Sequence, residues 1–399
     1  MTAPLSNIRV LDMSRILAGP WAGQLLGDYG ADVVKIERPD TGDDTRQWGP
    51  PWLEAEHSAQ SAYFLSANRN KRSVTIDLAS ARGQQVIRDL AAQADVLLEN
   101  FKVGTLQRYG LGPDDLTALN PQLIYCSISA FGQSSSRAGE PGYDAMIQAS
   151  AGLMSITGPV DEENGGPQKV GVAVADIMAG MYATTAVLAA LNARTETGVG
   201  QHIDVPLYDS QVAWLANQSM NFLVGGAVPR RMGTAHPNLV PYQAFATGDG
   251  NLMLAVGNDK QFAACADCIG HPDLAADSRF RHNSDRIENR TTLVRQLAAA
   301  FKTRTTADWL EKLGIAGVPA RPINDIGQVL SGPYADERGF VRQLPDAHGQ
   351  EVPTVSNPIA FSETPVRYDQ APPLLGEHTD EVLREWLGYS DELIAELHD

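Results

Sequence analysis

Cysteine, surplus positive charge, long apolar runs and the common nucleotide fingerprints are all scarce in this 399-residue chain. Three cysteines, Cys126, Cys265 and Cys268, cannot build a disulfide framework, which reads as a reducing, cytoplasmic setting. Cys265 and Cys268 form a lone C-x-x-C. No second pair or His pair completes the four ligands of a structural zinc site, so no metal is expected. Lys and Arg number 31 against 48 Asp and Glu, a net charge of −17 that repels polyphosphate, so nucleic acid is not an expected partner. No apolar run approaches the about 18 residues that cross a bilayer, and Met1 to Asn7 carry no basic or apolar leader. Neither a membrane nor export is therefore expected.

What is present is the composition of a folded enzyme-sized chain, 43% hydrophobic and 20% charged, long enough for two domains. The negative charge is uneven. Residues 1–110 hold 12 basic and 13 acidic side chains, whereas the remainder hold 19 and 35. An anionic ligand would be tolerated best in the N-terminal third.

The first half alternates β-branched runs with helical patterns. Ile8–Met13, Ala31–Glu37, Ser73–Leu78, Asp95–Glu99 and Leu123–Ser129 read as strands, with helices at Ala22–Tyr29 and Ser80–Ala94. That alternation predicts an α/β fold with a parallel sheet and right-handed crossovers. Helices are expected at about Asp176–Ala193 and Ser210–Val224. The pattern then changes. Gln243–Ala246 and Leu252–Val256 flank a Thr-Gly-Asp-Gly-Asn turn, three helices are expected between Gln261 and Leu313, and a smaller α+β domain is placed at 228–325. Strand-like pieces follow near 318–323 and 350–361, then a helix at Thr379–Leu387 with Thr379 as N-cap.

The turn after the first strand holds Gly19, Gly23 and Gly27 at spacing four, with Pro20 and Trp21 between. It is not the G-x-G-x-x-G of dinucleotide folds but a spacing that permits close helix packing. Walker A and G-x-S-x-G sequences are missing too. Cations sit where such folds bind ligands, beyond strand ends: Arg38 after one strand and Arg108 past another, with Arg69, Lys71 and Arg72 before a third. Arg38 and Arg108 could converge on one phosphate-bearing ligand, or each could be a solvated surface charge. Asp176 lies in the first turn of a helix after an apolar run. It reads either as an ordinary acidic cap or as a carboxylate poised to attack an activated acyl group and form an anhydride.

Taken in order, Asp32–Arg38, Asn70–Ser73, Asp95–Phe101, Gly142-Tyr143-Asp144, the Asp176 segment and Pro373–Asp380 resemble the family III CoA-transferases, the formyl-CoA and carnitine CoA-transferase group, over essentially the whole chain. Arg230–His236 and Val240–Phe245 are most similar to its succinyl-CoA:glutarate branch. The resemblance implies Asp176 as nucleophile and CoA contacts at Leu17, Ala18, Arg38, Ile76, Asp77, Asn100, Phe101, Arg108 and Tyr143. A recognised second carboxylate on the acceptor wants a cation, and Arg230, Arg231 and His236, beside Gly233 and Thr234, are the candidates, or the two Arg form a solvated basic turn; backbone N–H groups around Gly233 are candidate oxyanion donors. An acyl-CoA and a free carboxylic acid are then the substrates, and no cofactor is permanently bound. The resemblance further implies a Rossmann-like large domain at 1–205, a linker helix at 206–227, the small domain at 228–325 and a return segment at 326–399. Two chains would interlock as a homodimer.

Two departures narrow the reading. Leu17 stands where oxalate-specific members of that family carry Gln, and Gly233-Thr234-Ala235-His236 replaces their tetraglycine loop. Tyr143 stands where the racemase branch carries a His base, and an unperturbed phenol near pKa 10 is a poor base at neutral pH. A CoA-thioester racemase or isomerase of the same fold is the alternative activity.

Overall fold

The computed structural model describes residues 3–54, 59–161 and 165–398. The chain forms two compact units. The first comprises Met1–Leu153, Lys169–Gly226 and Asp336–Asp399, the second Met154–Gln168 and Ala227–Ala335. This division differs from the sequence expectation in three places: 154–168 belongs with the second unit, the helices of 207–225 with the first, and 326–335 with the second.

The first unit is built on six parallel strands: β1 (Arg9–Asp12), β2 (Asp32–Glu37), β3 (Lys71–Thr75), β4 (Val96–Glu99), β5 (Ile124–Ser129) and β6 (His202–Pro206). Their spatial order is β3-β2-β1-β4-β5-β6, so the order reverses between β1 and β4. Side chains alternate along each strand, which sends Val10, Val96 and Leu98 into one core and Leu11 and Leu97 into the other. The first core is closed by helices α1 (Ala18–Asp28) and α4 (Val174–Thr197); the second by α2 (Ala81–Gln93) and the C-terminal α10 (Thr379–Leu387). Both faces are covered, and so the central strands are apolar nearly throughout.

Helix α1 begins four residues earlier than expected, at Ala18, and its glycines explain how it lies so close to the strands. A Cβ on Gly23 would stand 2.6 Å from an Asp12 carboxylate oxygen, and one on Gly27 would stand 2.8 Å from the Asn70 carbonyl. Gly180 does the same for α4, where a Cβ would meet the Ala18 carbonyl at 2.6 Å. Helix α4 corrects one expectation. At 24 residues it is long and apolar enough to cross a membrane by length and composition, but half of its apolar stretch is buried in the first core.

Strand β3 begins at Lys71, two residues before the expected start, because its cations are structural. Lys71 is fully buried and donates to Asp12 (2.9 Å), Asn68 and the Pro20 carbonyl. Arg69 forks onto Asp28 at 2.9 and 2.6 Å, and Arg72 onto Asp32 at 3.0 and 2.6 Å. Thr379 is the first residue of α10 rather than its cap. Its hydroxyl donates to the Gly376 carbonyl and accepts from Thr75 N–H, which pins the helix to β3. The expected helix over Ser210–Val224 is two, α5 (Leu207–Trp214) and α6 (Ala216–Gly225), broken where Ala216 takes φ +45°.

In the second unit β7 (Tyr242–Ala246), β8 (Asn251–Ala255) and β9 (Ala320–Pro322) pair antiparallel in the order β9-β8-β7. Among its described residues five helical segments, not three, run between Asp259 and Ile315, including α7 (Asp259–Cys268), α8 (Arg290–Phe301) and α9 (Thr306–Ile315). Phe245, Phe262, Phe301 and Trp309 form its core. Cys265 is buried there and Cys268 partly so, which leaves the C-x-x-C as packing.

Candidate active site

Open parallel sheets bind ligands beyond their carboxyl ends, where the strand order reverses. Two cavities of the first unit lie there. One, of about 290 Å³, is lined after β1 by Arg15, Leu17 and Ala18, after β4 by Asn100 and Phe101, at the end of β5 by Ser129 and Ala130, and by Tyr143 and Asp176. The other, about 240 Å³, is lined by Arg38, Asp43, Ile76 and Asp77. Arg15 and Phe101 belong to both walls, so the two adjoin. Each alone falls below the roughly 300–1,000 Å³ of a ligand pocket, whereas together they lie inside that range.

Asp176 sits in the first turn of α4, half-buried. Burial, with the nearby Asp144 charge added, pushes its carboxyl from 3.8 up to about 7. No cation is paired with it among the described residues. Asp12 shows the contrast. Its burial alone would raise its carboxyl, but Lys71, Lys35 and the Ser14 hydroxyl more than offset that and hold it low.

The rest of the wall is fastened by side chains whose own hydrogen-bonding capacity is spent on backbone. Asn100 accepts from Arg15 N–H (2.9 Å) and donates to the Arg15 carbonyl (2.7 Å), strapping the loop after β1 to the end of β4. It therefore shapes the cavity wall with its amide already engaged. Glu99, buried and pushed up to about 7, accepts from Phe101 N–H at 2.9 Å. Ile16 takes φ +72°, a costly conformation for a β-branched residue, and its N–H is held by both oxygens of Asp43 at 3.2 Å. Asp43 is itself anchored by buried Lys35. These contacts aim Leu17 and Ala18 into the cavity.

Of the expected CoA contacts, Leu17, Ala18, Asn100, Phe101 and Tyr143 share the Asp176 cavity, while Arg38, Ile76 and Asp77 line its neighbour. Arg108 lines neither. It is exposed on the turn Gln107–Tyr109, and its neighbour Tyr109 reaches the second cavity instead, so the convergence of Arg38 with Arg108 is not seen. Arg15 takes that place: Arg15 and Arg38 both donate to the Asp44 carboxylate, at 2.9 and 2.8 Å. Its place one loop beyond β1 was the available signal. Arg69, Lys71 and Arg72 are withdrawn into ion pairs.

The expected acceptor residues belong to the second unit. Arg231 is paired with Asp161 and the Pro159 carbonyl. Gly233 takes φ +59°, and its N–H donates to the Gly158 carbonyl; those of Ala235 and His236 donate to Met232 and Tyr242. These three N–H groups are thus already engaged within the second unit. Thr234 Oγ1 accepts from Ala244 N–H. The His236 ring stacks on Tyr242 and accepts at Nδ1 from Asn238 N–H, placing a ring proton on Nε2. Arg230 is exposed.

A parallel α/β unit with an unpaired carboxylate facing a cavity at the switch point defines an enzyme built to present one acid to a bound ligand. The chain belongs to CoA-transferase family III, whose model matches residues 5–379. It is 45% identical to a succinate–glutarate CoA-transferase of Agrobacterium fabrum, covering 96% of this chain and 95% of the relative. It is 41% identical to the human succinyl-CoA:glutarate CoA-transferase, with 99% and 88% covered. A crystal structure of a CaiB/BaiF family protein from Brucella suis superposes with a TM-score of 0.86 at 45% identity, covering 97% of this chain and all of that one.

Proposed function

We propose that the protein transfers CoA from succinyl-CoA to glutarate or a related C4–C6 dicarboxylate, with Asp176 as the catalytic nucleophile. The observation that carries this reading is a carboxylate without a counter-cation on a cavity wall shared with Leu17, Ala18, Asn100, Phe101 and Tyr143. The names of the 41–45% identical relatives supply the substrate pair.

An Asp176 oxygen attacks the thioester carbonyl; the new C–O bond forms as the C–S bond breaks, releasing CoA thiolate and leaving an aspartyl-acyl anhydride. The thiolate attacks the Asp176 carbonyl, freeing the donor acid and leaving an aspartyl-CoA thioester. The acceptor carboxylate then displaces thiolate from that thioester to form a second anhydride. Thiolate attack on the acceptor's carbonyl yields the new acyl-CoA and returns Asp176. Atoms and charge balance without an oxidant or a metal. Holding the CoA tail beside the carboxylate supplies an effective molarity on the order of 10⁵ M or more.

Arg38 serves the phosphate-bearing end of CoA, from the rim of the second cavity. The candidates for reading the acceptor's second carboxylate are His236 first, then Arg231 and Arg230. The working assembly is a homodimer of interlocked chains. The exposed apolar side chains Trp214, Met220, Phe222, Leu223 and Val224 of α5 and α6 support a partner of the same kind. The large domain of the working enzyme is the first unit and the small domain the second.

Asp176→Ala abolishes transfer from succinyl-CoA to glutarate while CoA still binds, and intact-mass measurement of quenched wild-type enzyme detects an adduct on Asp176. Substantial residual turnover in the variant would remove the covalent route. Racemisation is tested by incubating a branched acyl-CoA in deuterated water; exchange at the α carbon without transfer would favour that activity instead.

A further inference from the structure

The segment that delivers Asp176 is held at two points, Val170 and Ala175, by two side chains one helical turn apart. Asp144 and Gln148 lie on α3 (Asp144–Ser150), at positions i and i+4, on one face. One Asp144 oxygen accepts from Ala175 N–H at 2.8 Å, immediately before the nucleophile. The other accepts from the Gln148 side-chain amide at 2.7 Å. The Gln148 carbonyl oxygen in turn accepts from Val170 N–H at 2.8 Å. Gln148 is fully buried, so each bond it makes is shielded from water, and losing one would strand a polar group.

Helix α4 has no side-chain cap of its own. Its cap residue, Ala173, has no side chain able to accept from the first-turn amides, and Asp144 does so from another helix. We propose that Asp144 and Gln148 are positioning residues for acyl transfer, fastening residues 170–175 so that Asp176 meets the thioester in an attacking pose. The proposal rests on Asp176 being the nucleophile.

The charge of Asp144 has a second effect. It faces Asp176 without a cation between them and adds to burial in raising the nucleophile's proton affinity. A more basic carboxylate is a better nucleophile once ionised, and it is fully ionised only above its raised pKa. The other charged or titratable groups around Asp176 are Tyr63, which shares its field, and Arg15, Lys102, Glu140 and Tyr143 across the cavity. None of these bonds to the 170–175 segment among the described residues; Lys169, next to it in sequence, does, its Nζ donating to the Val170 and Gly171 carbonyls at 3.2 and 3.5 Å.

Three variants separate geometry from charge, each assayed as intact enzyme for succinyl-CoA:glutarate transfer across pH 5–9 with folding followed by thermal melting. Gln148→Met lowers kcat about ten- to a hundredfold with the acyl-CoA KM within about twofold and the acid limb of the pH profile unmoved. Asp144→Asn removes the charge and leaves one oxygen to accept from either Ala175 N–H or the Gln148 amide but not both, so kcat falls and the acid limb also moves down by about one pH unit. Asp144→Glu keeps the charge and lengthens the arm, so kcat falls while the limb stays in place. Folded Gln148→Met or folded Asp144→Asn with wild-type kcat would overturn the proposal, and an unmoved limb in Asp144→Asn would remove the charge effect. Failure of the nucleophile assignment shows separately, as an active Asp176→Ala.

Discussion

Two carboxylates of the first unit have opposite electrostatic surroundings. Asp12, at the end of β1, is completely buried yet held ionised by Lys71 and Lys35. Asp176, at the start of α4, is paired with no cation among the described residues, and burial with the Asp144 charge pushes it up to about 7. The cations divide in the same way. Lys71, Arg69 and Arg72 are buried against acids, whereas Arg15 and Arg38 stand about half exposed at a cavity rim. A charge that folding has neutralised serves the fold. Arg15 and Arg38 share a single exposed carboxylate, Asp44, and Asp176 has no cation paired with it among the described residues, which leaves these charges open to a ligand.

Three substitutions sharpen that division, from the largest effect to the smallest. Lys71→Met strands the Asp12 carboxylate in the core and destabilises the protein by about 3–5 kcal/mol, read from urea unfolding at pH 7.5. A loss under 1 kcal/mol would mean that the pair is not structural.

Asp176→Asn acts with the reverse sign. The carboxyl's folded pKa, about 7, lies above its ordinary 3.8, so folding favours the protonated form. The stability that Asp176 contributes is therefore fully present below about pH 4 and lost as the pH rises through 7. The variant should melt higher than wild type at pH 8, with the advantage shrinking toward pH 5. Equal melting curves at pH 8 would show that the carboxylate is compensated after all.

Arg38→Ala gives the smallest change in stability, within about 0.5 kcal/mol, because its exposed pair with Asp44 is screened by solvent. CoA affinity in titration calorimetry nevertheless falls about tenfold, from the loss of one charge-assisted contact worth roughly 1.4 kcal/mol. Unchanged affinity would move the phosphate elsewhere.

The parallel sheet was legible in the sequence because strands covered on both faces are apolar nearly throughout, as Val96-Leu97-Leu98 is, and apolar runs show in one dimension. The spacing of Gly19, Gly23 and Gly27 was legible for a related reason: only a missing Cβ allows such approach. Strand β3 was misplaced because Lys71 and Arg72 look like surface residues until Asp12, Asp32 and Glu385 are brought to them. Arg108 follows a strand in sequence, yet it is exposed on the turn Gln107–Tyr109 and its neighbour Tyr109 lines the second cavity instead.

Sequence alone determined the fold class, the acidic balance and the residue types available for chemistry, since these follow from periodicity and composition. Which carboxylate lacks a cation, that Arg15 rather than Arg108 joins Arg38, and that Asp144 and Gln148 grip the strand of chain before Asp176 were decided only in three dimensions. Those facts depend on contacts between residues tens to hundreds of positions apart, and electrostatic energy follows separation in space rather than along the chain.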